Sequence, residues 1–270
     1  MTNSPVWRII DSGTADGSTN MAVDEALLLS FQPGSSLPLL RLYGWDPPAL
    51  SIGRFQDVDR ELKSDLCRHD DIPVIRRISG GGAILHEHEI TYSLICTPDH
   101  LPHSASIKES FRVITGFLMD FYRSFGLTAA YAIDAAPDGD MLGQRTSCCF
   151  AGRESYDITV NGTKIGGNAQ RRMKQIIFQH GSIPVSSDVA RALNYLRIPH
   201  TGDLKATTLR RCGVTESYAG MKERLLTSFT GYFGIHIAPG PLTPAESSLA
   251  ERLRRDKYLN LQWNSGGNVP

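Results

Sequence analysis

The sequence predicts a mixed α/β fold of the α+β kind, one mixed β-sheet packed with helices. Three observations carry that expectation. Short apolar runs are punctuated by proline and glycine, which is strand-and-turn chemistry. A long apolar stripe at helical spacing marks at least one substantial helix. Strand and helix patterns interleave, and much of the strand content comes as hairpins.

The first helix is expected to start at Asn20 as N-cap, with Asp24 and Glu25 near its positive end. Its body is Met21 to Phe31, closed by Pro33-Gly34. Leu39 to Tyr43 and Ala49 to Ile52 read as strands joined by the turn Asp46-Pro47-Pro48. Pro73 to Ile78 and Thr91 to Thr97 are strands flanking a triple glycine. Ser104 to Phe125 reads as a long amphipathic helix. Ile107, Phe111, Ile114, Leu118, Phe121 and Phe125 form its core stripe, and Gly126 its C-cap. Tyr156 to Val160 and Thr163 to Ile165 flank Asn161-Gly162, the pair a type I′ hairpin turn demands. The second arm is expected to run on through glycines to Ile176-Ile177-Phe178. Helices should then begin at Ser187, at Thr215 and at the capping box Thr243-Pro244-Ala245-Glu246.

At 270 residues one substantial core is expected, so residues 1–270 read as a single domain. With 41% hydrophobic and 21% charged residues the composition is that of a soluble globular protein. Lys+Arg and Asp+Glu both count 28, a balance that argues against a general nucleic-acid binder. The N-terminus shows no basic, apolar leader pattern and no lipidation signal. No run of about 18 apolar residues predicts a membrane span. Five cysteines, an odd number without metal-ligand spacing, fit a reducing cytoplasm. A cytoplasmic location is expected.

Three features can carry chemistry. Ser79-Gly80-Gly81-Gly82 follows a strand and lets backbone N–H groups approach a ligand, or else forms a plain flexible hairpin. The spacing is neither a P-loop nor a dinucleotide fingerprint. Arg76 and Arg77, just before it, would point to opposite faces of a persisting strand, one toward an anionic ligand and one into solvent. Cys149 lies in a polar segment with Arg145 and Arg153 nearby to favour the thiolate. A buried, inert thiol is the competing reading, and spacing alone does not separate Cys149 from Cys148. Lys164 should pair with Thr159 across the hairpin, ordinarily a solvated position. A thiol, an amine and a side-chain-free loop are the parts of an acyl-transfer site. His86 and His180 are second-rank site-lining groups, and His88 reads as a turn residue. His86 and His88 lack the partners of a zinc set, so no metal site is expected. Arg171, Arg172 and Lys174 form a basic cluster, a wet surface or a docking point for an acidic carrier.

These residues resemble the lipoate–protein ligase and octanoyltransferase superfamily. The matching segments, in order, are Asn20 to Leu27, Arg76 to Ala83 with His86, Lys164 to Gln170, and His180 to Ile183. The resemblance implies a biotin/lipoyl-ligase-type catalytic domain. In it the triple-glycine strand and the lysine segment line a tunnel for a medium-length acyl chain. Arg76, Arg77, Ser79, Gly80, Gly81, Gly82, His86, Gly166, Gly167, Ala169 and His180 are the substrate-binding residues it implies. Within the superfamily the chain is most similar to the cysteine–lysine octanoyltransferases, which selects Cys149 as nucleophile, with Lys164 as the catalytic lysine. Two departures stand out: Asn168 where these enzymes commonly carry serine, and the extra Cys148. The implied activity moves an octanoyl group from octanoyl-acyl carrier protein to a lysine of a lipoyl domain, such as the glycine cleavage H protein. No cofactor is needed for that. The alternatives are an ATP- and Mg-dependent lipoate–protein ligase, with Cys149 incidental, and a lipoyl amidotransferase. A non-enzymatic acyl-binding relative would lack a competent thiol.

Overall fold

The computed structural model describes residues 4–102, 106–135, 154–197 and 206–267. The first half forms β1 (Val6–Ala15), α1 (Gly17–Ser30), β2 (Leu39–Trp45), β3 (Ala49–Ile52), α2 (Val58–Glu61), α3 (Ser64–His69), β4 (Val74–Arg76), β5 (Ile84–His86) and β6 (Glu89–Cys96). Then come α4 (Ile107–Arg123), β7 (Ala129–Tyr131), α5 (Ala132–Ala135), β8 (Ile158–Val160), β9 (Thr163–Lys164), β10 (Gly167–Met173) and β11 (Ile176–Pro184). The chain closes with α6 (Tyr218–Phe233), β12 (His236–Pro239), α7 (Pro244–Leu253) and α8 (Leu261–Gly266).

The expected mixed sheet is present, with strand order β10-β11-β6-β2-β1-β12. β1 pairs parallel with β2 and β12, and the other pairings are antiparallel. Every residue of β2 is buried because helices cover both faces of the sheet. Leu40, Leu42, Tyr92 and Leu94 face Ile114, Phe117 and Phe121 of α4 and Phe229 of α6. Leu39, Tyr43, Ile95 and Phe178 face Met21, Ala26 and Leu27 of α1. Two small three-stranded sheets, β4-β3-β5 and β7-β8-β9, flank the large one. No helix among the described residues is long and apolar enough to cross a membrane.

Several boundaries differ from expectation, each for a local reason. α1 starts at Gly17 because Asp16 caps it, accepting from the Thr19 amide at 2.9 Å. Asn20 is not the cap. It is buried inside the first turns, donating to the Ala15 and Gly44 carbonyls. β9 does not run on to Ile176. At Gly166 φ is +116°, and a Cβ would stand 2.5 Å from the Ser182 carbonyl oxygen, so the chain turns there and enters the large sheet as β10. Ser187 starts no α-helix. Its hydroxyl donates to the Glu87 carbonyl, and a short 3-10 turn forms at Arg191–Tyr195. The next helix starts at Tyr218, capped by Ser217 rather than Thr215. α4 ends at Arg123 with Ser124 as its cap, and Gly126 follows at positive φ. The Thr243–Glu246 capping box forms as expected. So does the hairpin turn, with Asn161 and Gly162 both at positive φ and Lys164 opposite Thr159.

Candidate active site

Lys164 is not at a solvated strand end. Its side chain is 2% exposed, and its Nζ donates to Asp157 Oδ2 at 2.6 Å. Asp157 sits at the foot of β8, where its Oδ2 also accepts from the Glu154 amide at 2.8 Å. The floor behind the lysine is fixed by Tyr122 of α4, whose hydroxyl donates to the Ile165 carbonyl at 2.8 Å. A two-residue strand thus holds a buried ammonium by pairing, a turn and a carboxylate.

Two cavities share part of their lining, and Asp157 lines the outer of them. The inner one is a narrow slot of about 30 Å³, well below the roughly 300–1,000 Å³ usual for ligand sites. Its apolar wall is Met21, Trp45 and Ile84. The outer one is a cleft of about 370 Å³ lined by Phe111, Tyr156, Asp157 and Gln170 among others. Gly81, Asn168 and Ala169 line both, so they form the passage between them. An apolar dead end opening past a cation-bearing carboxylate suits a ligand with an alkyl tail and a polar head.

The two histidines of the inner wall are tied down. His86 stacks on Trp45, with ring centroids 3.9 Å apart and planes 8° from parallel. Its Nδ1 meets Glu89 Oε1 at 2.8 Å and its Nε2 meets Ser51 Oγ at 2.7 Å. Glu89 also accepts from Ser182 Oγ at 2.6 Å. His180 Nε2 meets Ser79 Oγ at 2.5 Å. Its Nδ1 is 3.8 Å from Asp24 Oδ2, a charge contact too long for a hydrogen bond. Burial holds His180 below the ordinary imidazole range, outweighing the pull of Asp24. Burial pushes the Asp24 carboxyl up, but Arg41, His180 and Ser93 together bring it below its ordinary value.

Neither arginine before the glycines is solvated. Arg76 ends β4 fully buried and donates to the carbonyls of Gly53, Arg54, Gln56, Trp263, Asn264 and Ser265. It clamps α8 to the small sheet and lines neither cavity. Arg77 lies past the strand end. Its Nη2 donates to the carbonyls of Gly80 and Gly82, both at 2.8 Å, and its Nη1 to Ser51 Oγ at 3.1 Å. Arginine 77 therefore shapes the glycine loop while lining the inner cavity. Carbonyls surround Arg76, whereas Arg77 keeps a place on the inner wall.

Of the residues singled out from the sequence, Arg77, Gly81, His86, Gly167, Ala169 and His180 line the inner cavity. Gly80 lines the outer cleft, and Ser79 reaches the wall through His180. Gly82 supplies a carbonyl to Arg77, and Gly166 makes the turn after Lys164. His88 is a turn residue at φ 44°. Arg172 donates to Ser110 Oγ at 2.6 Å and Arg171 to the Ile78 carbonyl at 3.0 Å, so both are partly spent on packing. Cys148, Cys149, Arg145 and Arg153 lie outside the described residues. Sequence reasoning missed Asp157, Trp45, Glu89 and Ser51. Asp157 carried a weak signal, since a lone acid preceding a strand seven residues before a lysine has no fixed meaning without the hairpin register. Among the described residues no three His, Cys, Asp or Glu side chains are placed to hold a metal ion.

Comparison with known proteins adds to this geometry. The profile of the Lipoyl protein ligase A/B catalytic domain matches residues 16–230. The chain is 33% identical over 270 residues to Octanoyltransferase LipM of Halalkalibacterium halodurans, covering 96% of this chain and 98% of that protein. It is 32% identical over 274 residues to Octanoyltransferase LipM of Bacillus subtilis, covering 96% and 97%. The crystal structure of a lipoate-protein ligase A bound with ATP superposes with a TM-score of 0.81 at 25% identity, covering 97% of this chain and 99% of that one.

Proposed function

Because this chain belongs to the Lipoyl protein ligase A/B catalytic domain family, we propose that it is an octanoyltransferase of protein lipoylation working through a cysteine acyl-enzyme. The donor is a thioester of octanoate on an acyl carrier protein, and the acceptor is a lysine of a lipoyl-domain protein such as the glycine cleavage H protein. The Cys149 thiolate attacks the thioester carbonyl, a new C–S bond forms, and the carrier thiol leaves with a proton. The acceptor amine then attacks the acyl-enzyme, loses a proton, and releases the Cys149 thiolate as the amide forms. Thioester exchange is nearly isoenergetic and amide formation runs downhill, so the chemistry calls for no nucleotide.

The observation that carries this reading is the buried Lys164–Asp157 pair, with Asp157 in the lining of the cleft. An ion-paired ammonium is a donor, suited to the carbonyl oxygen as charge develops there. Backbone N–H groups at Gly81 and Gly82 are the further donors we assign to that oxyanion. We assign the octanoyl tail to the inner slot, whose apolar walls must part to admit it.

Incubation with octanoyl-carrier should add one octanoyl mass to the protein, labile to hydroxylamine, and Cys149→Ser should neither acquire that label nor turn over. A serine variant of full activity refutes the covalent route. Strict dependence on ATP with free lipoate as donor hands the site to ligase chemistry.

A further inference from the structure

The wall between the two cavities carries a row of polar side chains that the scheme above does not use. Sheet register places Gln170 opposite Gln179, and Gly181 between Asn168 on one side and Tyr92 on the other. Alternation then puts all of them on one face of the sheet. At the end of the row stands Arg172, which has hydrogens to give and no lone pair to accept with.

That end fixes the direction of the whole row. Arg172 Nη2 donates to Ser110 Oγ at 2.6 Å, and its Nε reaches Gln170 Oε1 at 3.4 Å. Gln170 therefore turns its oxygen to the arginine and donates through Nε2 to Gln179 Oε1 at 3.0 Å. Gln179 Nε2 donates to the Tyr92 hydroxyl at 3.1 Å, and Tyr92 donates to Asn168 Oδ1 at 2.8 Å. Burial pushes the Tyr92 phenol far above its ordinary value, so it keeps its proton for this bond.

The consequence falls on Asn168. Its oxygen is committed to Tyr92 and lies over Gly181, where a Cβ would stand 2.1 Å from it. Its Nδ2 has no acceptor among the described residues, and the side chain lines both cavities. We propose that Asn168 Nδ2 is a fixed donor to the carbonyl oxygen of the bound acyl group at the passage between the cavities. The inference rests on the octanoyltransferase reading and assigns Asn168 as a carbonyl-recognising residue of that reaction. An unsupported carboxamide can flip and offer either end. Here a flip would cost the Tyr92 hydroxyl its acceptor, since the Gln179 side of the row is set by an arginine that cannot accept. The site thus favours acyl compounds, the thioester before transfer and the amide after it, over alkyl chains that lack a carbonyl.

Asn168→Asp tests this, because it keeps an acceptor for Tyr92 and replaces the donor with oxygen. Calorimetry would compare two pantetheine derivatives, an octanoyl amide with nitrogen in place of the thioester sulfur, and an S-octyl thioether. The parent should prefer the amide. N168D should lose about tenfold of that preference while binding the thioether as the parent does. Asn168→Ser, whose hydroxyl can donate, should keep part of it. Should N168D fail to fold, Tyr92→Phe takes its place, since it frees the carboxamide and should narrow the preference. An unchanged preference in N168D, or in Y92F where that stands in, overturns the proposal, as does equal loss of both ligands by a folded variant. A parent that binds neither ligand overturns the octanoyltransferase reading, and this assignment with it.

Discussion

Two ion pairs in this molecule match in distance and burial and differ in their surroundings. Arg41 Nη1 lies 2.7 Å from Asp24 with side chains 1% and 2% exposed, and Lys164 lies 2.6 Å from Asp157 with side chains 2% and 5% exposed. Arg41 is enclosed: it also donates to Ser12 Oγ and to both oxygens of Asn20, and it stacks over the Tyr43 ring at 3.9 Å. Asp24 takes further bonds from Tyr43 and Ser93. This pair braces α1 against the sheet behind the inner cavity. Of the other pair, Asp157 lines the open cleft and Lys164 sits on a two-residue strand. Burial and charge pairing alone therefore do not tell the two pairs apart; the cleft beside one of them does.

The comparison can be broken first at the lysine. Lys164→Met should lower kcat for octanoyl transfer about 10²- to 10⁴-fold, the scale of a lost proton-handling or charge-stabilising group. Its loss of stability should be the smaller of the two, because Asp157 lines the cleft whereas Asp24 lines neither cavity. Arg41→Met should show the reverse. Leaving Asp24 buried without its counter-charge should cost about 3–5 kcal/mol in urea unfolding, with kcat of the folded fraction within about tenfold of the parent. If the two variants lose stability equally and activity equally, the distinction between brace and reacting group fails.

A finer probe is Gly166→Ala. The added Cβ meets the Ser182 carbonyl at 2.5 Å, and φ is +116° there, so a loss of about 1–3 kcal/mol is expected on chemical denaturation. Lys164 lies two residues away, and transfer activity should fall with it. The smallest effect concerns pH. His180 is held below its ordinary value in the folded protein, so the unfolded chain takes up a proton first as pH falls through about 6.5. The stability it contributes is complete above that pH and is lost below it, toward the lowered folded value. Asp24, also held low, adds a loss of the same sign only below about pH 4. Melting curves from pH 7 to pH 5 should fall more steeply for the parent than for His180→Gln. Parallel curves would mean that His180 carries no such linkage.

Much of the scaffold was legible because it is written locally. The apolar stripe of α4, the Asn161-Gly162 turn and the Thr243 capping box each rest on residues within a few positions of one another. β1 and β12 were not anticipated, since their parallel pairing joins segments as far apart in the chain as Val6 and His236. The Asn20 cap was misplaced because a better capping acid, Asp16, stands one turn earlier while Asn20 is drawn into the network around Arg41.

The sequence by itself determined the parts of the site: a glycine loop after a strand, a lysine beyond a tight turn, and the histidines of the wall. Only the tertiary structure decided what each part touches. It sent Arg76 to the carbonyls of α8, set Lys164 on Asp157, and aimed the Asn168 carboxamide through a chain of donors from Arg172. The physical reason is that a hydrogen bond is fixed by register and distance between segments far apart in the chain. A local pattern chooses the conformation of a segment and leaves its partners open.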